Sequence, residues 1–439
     1  MVSVFLLNSP NATTVVSKQQ KLKYKLLRLL HLLRVEVGMA NQAGLTEFFE
    51  TFLKKEPLFK DKKVLQANFV PLSIPHRREQ IEKVAGILAP ALRKEKPSNL
   101  FIYGKSGTGK TVCTQYVLGK LVESATARNV PLKYIYANCK LKKIANTEYR
   151  IIAELARALG KVVPATGLPT DEVYNLFLAA IDECEQIVLL VLDEVDRLVD
   201  SAGDEILYNL TRVNAQLSKS QVSIVGISND VRFMERIEPR VKSSLGEEET
   251  VFPPYNAAEL TEILAERARN AFRIGVVEQG VLEKCAAYAA REHGDARRAI
   301  DLLRVAGELA ERENSQTIKL EHIDTAEKKI ETDTVLEIVS TQPKQSQAVL
   351  YATLLLPPNG TKIETGMVYG RYVEVCKSSN LEPLTQRRVS DLIAELDMLG
   401  IIRAEVKSKG RYGRTREIYV NLEPDLMDKL VDILKGELA

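Results

Sequence analysis

The residues best equipped for chemistry form an octet, Gly104-Lys105-Ser106-Gly107-Thr108-Gly109-Lys110-Thr111, which fits the pattern GxxxxGK[ST]. Glycines in such a loop let backbone N–H groups close around phosphate oxygens, and a helix starting at the lysine adds its positive dipole end. The octet therefore predicts a P-loop in which Gly107, Thr108, Gly109, Lys110 and Thr111 hold ATP or ADP. Lys110 is expected to reach the β- and γ-phosphates, and the Thr111 hydroxyl to ligate Mg²⁺. Downstream, the apolar run Ile187–Leu192 delivers the pair Asp193-Glu194. An acidic pair at a strand's carboxyl end is common as a solvated loop, but coupled to a P-loop it reads as a Walker B pair. Asp193 would hold the metal, and Glu194 would orient or polarise the attacking water. Asn229 follows another apolar run, Val222–Ile227, where it is placed to hydrogen-bond the γ-phosphate or its water. An Asn there is also an ordinary turn residue.

The elements that must position these groups are legible as alternation. Short apolar runs at Leu100–Tyr103, Leu132–Ala137, Ile187–Leu192, Val222–Ile227 and Thr250–Phe252 are separated by helical patterns, which predicts an α/β fold with a parallel sheet covered on both faces. A short leading helix is expected over Leu45–Leu53. After Pro253-Pro254 the strands stop, and helical patterns from about Ala257 to Ile330 predict a helical lid. Another boundary falls near Thr341–Gln345. Beyond it the order is three helices, two strands around a Gly-rich turn, and a last helix over Pro424–Leu434, the order of a winged helix. The expected division is 1–38 as a basic extension, 39–253 as the nucleotide-binding domain with its leading helix, 254–340 as the lid and 341–439 as a winged-helix domain.

That last domain carries a different chemistry. Val389, Leu392, Ile393, Leu396 and Leu399 form an apolar stripe, with Gln386, Arg387, Arg388 and Ser390 outside it and Gly400 as the stop. A helix of this kind can enter a major groove and present Arg387 and Arg388 to phosphates and base edges. Next, Arg403, Lys407, Lys409, Arg411, Arg414 and Arg416 surround Gly410 and Gly413, with Glu405 the only acid between Arg403 and Arg416. A charge run is usually a solvated face, yet this density around two glycines describes a basic wing. Lys409, Arg411, Tyr412 and Arg414 are its DNA-contact candidates, with Arg411 and Tyr412 at a tip suited to a minor groove.

Bulk properties exclude more than they identify. Lys and Arg total 61 against 58 acids, a net charge of +3, so any nucleic-acid surface must come from local clustering. The five cysteines lie far apart without metal-ligand spacing, and no apolar run is long enough for a membrane span. A cytoplasmic protein associated with the nucleoid is expected. Residues 1–38 are basic and leucine-rich, with no acid before Glu36. A membrane or DNA anchor, a disordered arm and a mis-assigned start codon compete for them; the reading favoured here is translation from Met39.

With these residues assembled, the chain resembles the AAA+ ATPases and, within them, the archaeal replication initiators related to the origin-recognition complex and the Cdc-six protein. The resemblance runs from about Phe59 to Leu422. It is carried by VLDEVDRL at Val191–Leu198, GISND at Gly226–Asp230, EPRVKSSL at Glu238–Leu245, FPPYNAAEL at Phe252–Leu260, REHGDARRAIDLLR at Arg291–Arg304 and TQRRVSDLIAELDMLGI at Thr385–Ile401. It implies that Arg297 is the lid's sensor-two arginine, reporting on the γ-phosphate, and that Tyr255 and Arg267 contact nucleotide. It also implies that the segment containing Val70-Pro71 and Ile74–Arg77 flanks the adenine. Arg240 becomes the candidate finger toward a neighbour's nucleotide, although Ser244 stands where related eukaryotic sequences carry arginine. Lys140, Lys142, Lys143 and Arg150 fall where initiators carry an extra helical motif that touches DNA.

The resemblance implies an ATP-dependent replication initiator and slow regulatory ATPase that binds double-stranded origin DNA, helps load the replicative minichromosome-maintenance helicase and has a paralogous initiator as a possible partner. A DNA motor of the branch-migration type and an ATP-sensing transcription regulator are the competing readings. Rapid DNA-stimulated hydrolysis with unwinding separates the motor from the initiator.

Overall fold

The computed structural model describes residues 56–66, 69–71, 73–140, 147–164, 167–356, 363–408, 414–420 and 422–438. The basic extension and the expected leading helix lie outside them. All elements below belong to one compact unit, Phe59–Ala439.

The nucleotide-binding part is built on β1 (Asn99–Tyr103), β2 (Leu132–Asn138), β3 (Ile187–Asp193), β4 (Gln221–Ser228) and β5 (Glu247–Val251), with helices α1 (Arg78–Leu88), α2 (Lys110–Ala127), α3 (Glu148–Ala158), α4 (Thr170–Ile181), α5 (Val195–Ala202), α6 (Glu205–Arg212), α7 (Phe233–Arg236) and α8 (Pro239–Leu245). The strands form one parallel sheet in the order β2-β3-β4-β1-β5. Its α/β class is the one expected. Strand β3 shows why the runs are continuously apolar: Val188, Leu190 and Leu192 enter the core on one face, while Ile187, Leu189 and Val191 enter the core on the other. Each such buried side chain contributes about 1.5–3 kcal/mol, so a strand dry on both faces has no polar alternation to show. Gly226 on β4 is required by packing, because a Cβ there would lie 2.4 Å from the Phe101 ring.

β5 spans Glu247–Val251 where Thr250–Phe252 was expected. It is a sheet edge, and edge strands tolerate charges such as Glu247, Glu248 and Glu249, which hide the strand pattern.

The lid comprises α9 (Ala257–Ala271), α10 (Val281–Arg291), α11 (Ala296–Arg312) and α12 (Leu320–Ser340). Asn256 and Glu259 close a capping box at the start of α9, and the Asp295 carboxylate caps α11 by accepting from the Arg297 and Arg298 amides. Helix α12 has 21 residues and crosses a boundary. Ile323 and Ala326 are buried within the lid part, whereas Val339 joins the next core, with Val335, Leu336 and Ile338 packed against it.

That next core is the winged helix: α13 (Lys344–Leu354), β6 (Ile363–Glu364), α14 (Thr365–Ser378), α15 (Gln386–Met398), β7 (Arg403–Ser408), β8 (Arg414–Tyr419) and α16 (Pro424–Leu438). β6 pairs with β8 and makes the sheet three-stranded, where two strands were expected. Two residues are too few to carry a periodicity. The expected stripe on α15 holds at Val389, Leu392, Ile393 and Leu396 but not at Leu399, which is 41% exposed. Gly400, at φ +73, turns the chain so that Ile401 and Ile402 enter the core in its place.

Candidate functional site

The P-loop leaves the buried end of β1 and opens α2, with Gly109 as the N-cap at φ +92. The side chain of Lys110 is buried, and its ammonium donates to the Gly104 carbonyl at 2.6 Å, the Lys105 carbonyl at 2.7 Å and Asn229 Oδ1 at 2.9 Å. Burial lowers its pKa to about 8; nearby Asp193 opposes that shift and Arg297 reinforces it. The lysine is thus stripped of water and held on the sheet side of a cavity.

Asp193 ends β3, with Thr111 and Tyr136 facing it. Thr111 Oγ1 donates to Asp193 Oδ2 at 2.9 Å, and the Tyr136 hydroxyl donates to the same oxygen. Burial, then the bond to Asp193, pushes the Tyr136 phenol far up, so it remains a donor. The hydroxyl of Thr111 and the carboxylate of Asp193 form the hard-oxygen pair that suits Mg²⁺. Glu194 follows in the left-handed region at φ +55, an uncommon conformation for a residue other than glycine. Its Oε2 lies 4.0 Å from Lys140 Nζ. Asp196, buried on α5, accepts from Ser228 Oγ at 2.9 Å and from the Asn229 amide at 3.2 Å, which fixes the end of β4 against α5.

The lid closes the opposite wall. The Ala296 amide donates to the Gly107 carbonyl at 3.2 Å, and a Cβ on Gly107 would fall 1.7 Å from Asp295 Oδ1. Only glycine lets the capped end of α11 seat there. Tyr255 is buried beneath the guanidinium of Arg77, which lies 3.7 Å from the ring centroid. Arg77 Nε donates to the Thr108 carbonyl at 3.0 Å, and Arg77 Nη2 to the Pro253 carbonyl, so one buried arginine joins the P-loop to the lid junction. Burial pushes the Tyr255 phenol up to about 12. Arg267 donates to the carbonyls of Val64 at 3.0 Å and Phe69 at 3.4 Å, and its guanidinium sits over the Phe69 ring.

Between these walls lies a cavity of about 640 Å³. Gly107, Thr108, Gly109, Lys110, Thr111, Asp193, Glu194, Asn229, Tyr255, Arg267 and Arg297 all line it. Phe69, Pro71, Ile74 and Pro75 add an apolar wall suited to a flat base. Val70, expected there, is not among the lining residues and is 43% exposed; the chain turns Phe69 and Pro71 inward instead. Arg240 lies outside the cavity on α8, paired with Glu205 and Glu238 and over the Tyr208 ring.

Three lining residues were given no role from the sequence: Tyr136, Asn138 and Arg298. Asn138 pairs in register with Asp193 across β2 and β3, so the strand order alone would have found it. Arg77 was expected only as the end of the adenine-flanking segment, and no local pattern announces its bonds to Thr108 and Pro253.

On the winged helix, Arg387 and Arg388 are exposed on the first turns of α15, and Arg388 Nη1 lies 3.1 Å from Glu395 Oε1. Arg414 begins β8. Lys409, Arg411 and Tyr412 lie outside the described residues, as do Lys142 and Lys143. No helix among the described residues is long and apolar enough to cross a membrane.

Comparison with known proteins agrees with this construction. Residues 93–233 match the family described as AAA domain, 261–328 the Cdc6 AAA+ ATPase-type lid domain, and 337–429 the CDC6 C-terminal winged helix domain. The chain is 53% identical over 385 residues to an ORC1-type DNA replication protein of Thermococcus onnurineus, covering 87% of this chain and 92% of that one. It is 48% identical to an ORC1-type DNA replication protein 1 of Methanosarcina mazei, covering 88% and 92%. Among solved structures, that of the Aeropyrum pernix ORC1 protein in complex with DNA is similar at 44% identity and a TM-score of 0.78, covering 88% of this chain and 100% of that one.

Proposed function

The chain belongs to the family of ORC1-type DNA replication proteins, and from that membership and the construction of its cleft we propose that it is an ATP-switched initiator that binds origin duplex and helps load the replicative minichromosome-maintenance helicase. The observation that carries the reading is the convergence of Lys110, Thr111, Asp193, Glu194, Asn229 and Arg297 on one cavity between sheet and lid, in a chain that ends in a winged helix.

In this reading Gly107, Thr108 and Gly109 present their amides to the phosphates of ATP or ADP, and Lys110 exchanges its loop carbonyls for phosphate oxygens. Mg²⁺, held by Thr111 and Asp193, supplies neutralisation of the phosphate charge. Glu194 accepts a hydrogen bond from the attacking water and orients it, while Asn229 fixes that water or the γ-phosphate from the end of β4. Arg297 enters from the lid, so the lid's position depends on whether a third phosphate is present. Tyr255 and Arg267 shape the base side, and the backbone around Val70 belongs to the same wall. Turnover is slow, because the ATPase serves as a switch.

Arg387, Arg388, Lys409, Arg411, Tyr412 and Arg414 form the duplex surface, and Arg240 faces a paralogous neighbour's nucleotide when two initiators sit side by side. The division at 39–253, 254–340 and 341–439 assigns nucleotide, lid and duplex to separate parts. The rate of hydrolysis separates an initiator from a motor. Footprinting across the genome should give a few discrete peaks at replication starts, with slow hydrolysis of ATP. Rapid DNA-stimulated hydrolysis with strand separation would replace this reading with the motor.

A further inference from the structure

Arg298 follows the sensor candidate Arg297 in the first turn of α11 and lines the cavity on one side. On its other side Arg298 Nη2 lies 3.1 Å from Glu327 Oε2, and Arg298 Nε 3.2 Å from Glu292 Oε2. Glu327 is 6% exposed, and neither of its carboxylate oxygens, nor Arg298 Nε, finds a hydrogen-bond partner of good geometry among the described residues. The contact is an ion pair at 3.1 Å whose hydrogen-bond geometry is imperfect. Carboxylate oxygens of Glu292, Glu327 and Glu331 lie within 4.8 Å of one another, so a single guanidinium faces an acidic excess. Burial pushes the Glu327 carboxyl up, with Arg298 opposing.

Glu327 lies in the first half of α12, and that helix does not stop at the lid. Val339 is a member of the winged-helix core, with Val335, Leu336 and Ile338 packed against it. The neighbouring Lys328 reaches Glu423, just before α16, at 3.3 Å. A helix is stiff over the roughly 18 Å that separate Glu327 from Val339.

We propose that Arg298 and Glu327 form a relay that passes the phosphate state of the cleft to the winged helix through α12. Phosphate charge in the cleft competes with the glutamates for Arg298. When Arg298 moves toward the cleft, Glu327 is left as an uncompensated buried carboxylate, and the simplest relief is a turn or shift of α12 that rehydrates it. The same helix carries the winged-helix core, so its posture shifts too. Arg298 is thus a positioning residue acting through α12, and by linkage bound duplex must alter nucleotide affinity by the same factor.

The relay rests on the ATP-switch reading above, and one experiment separates the two. Affinity of the full chain for a labelled duplex of mixed sequence is measured by anisotropy with a saturating non-hydrolysable ATP analogue and with ADP. In the unaltered protein the two affinities should differ on the order of tenfold. In Glu327→Gln the ratio should fall to within about twofold of unity, while nucleotide affinity without DNA stays within about threefold. Arg298→Gln should do the same to the ratio, and the double variant should lose no more than either single one. Arg298→Gln carries the test alone if Glu327→Gln does not fold. A full ratio retained in the variants, or additive losses in the double variant, overturns the relay and leaves the switch standing. No nucleotide dependence in the unaltered protein overturns the switch, and the relay falls with it.

Discussion

The nucleotide cleft and the face of the winged helix both depend on cationic side chains, but they hold them in opposite ways. In the cleft, Lys110 is buried and donates to three acceptors, while Arg77 is buried and ties Thr108 to Pro253. On α15, Arg387 and Arg388 project into solvent, and among the described residues Arg387 has no ion-pair partner. The contrast follows from what each site must bind. A phosphate chain gripped in a closed cavity is recognised by donors already desolvated and fixed, which make strong, directional contacts. A duplex is gripped by releasing counterions, and that works best with mobile, hydrated charges. Losses in the cleft should therefore be nearly all-or-none, and losses on the winged helix graded and sensitive to salt.

The largest effect is expected at Lys110. Lys110→Ala removes a buried cation and leaves Asn229 and two loop carbonyls without their donor, so affinity for ATP and ADP should fall about a thousandfold. Titration calorimetry reads this directly, and a loss below tenfold would mean that the cleft is as forgiving as the duplex face. Glu194→Gln comes next. It keeps the shape of the left-handed corner after β3 but removes the base, so single-turnover hydrolysis should drop at least about a hundredfold while ATP affinity stays within about threefold. Unimpaired hydrolysis would take Glu194 out of its assigned place and weaken the idea that the cleft's polar groups act as one unit.

The two regions also differed in how far they could be read from the chain. The P-loop and Asp193-Glu194 are local patterns fixed by backbone geometry, and the strands that carry them are apolar on both faces, so spacing alone located them. Arg77, Asp295 and Tyr136 act across folds of the chain. Asp295 entered the sequence reading only as part of the lid motif, and nothing near it in sequence says that Gly107 must lack a side chain to receive it. Val70 shows the limit of a resemblance: the segment lies beside the cavity, but Phe69 and Pro71 do the lining. On the winged helix the period of α15 was plain, while Leu399 was misplaced because the turn at Gly400 hands its place to Ile401 and Ile402. The short β6 left no period to read.

The smaller predictions test the duplex face and set two neighbouring arginines against each other. Arg387→Ala should weaken binding to a mixed-sequence duplex about tenfold at low salt and reduce the salt slope by about one. Arg388 lies beside it, but part of its charge is already engaged by Glu395 on the same helix at 3.1 Å. Binding DNA through Arg388 must first loosen that pair, so part of what the contact contributes offsets the loss of Glu395. Arg388→Ala should therefore cost only about threefold, with a smaller change in salt slope than Arg387→Ala. Glu395→Gln should free Arg388 and tighten binding by a similar factor, but only when Arg388 is present, which a double-mutant cycle on duplex affinity reveals. Equal losses at the two arginines, with no effect of Glu395→Gln, would mean that pairing within the helix does not grade these charges and that the contrast between cleft and duplex face rests on burial alone.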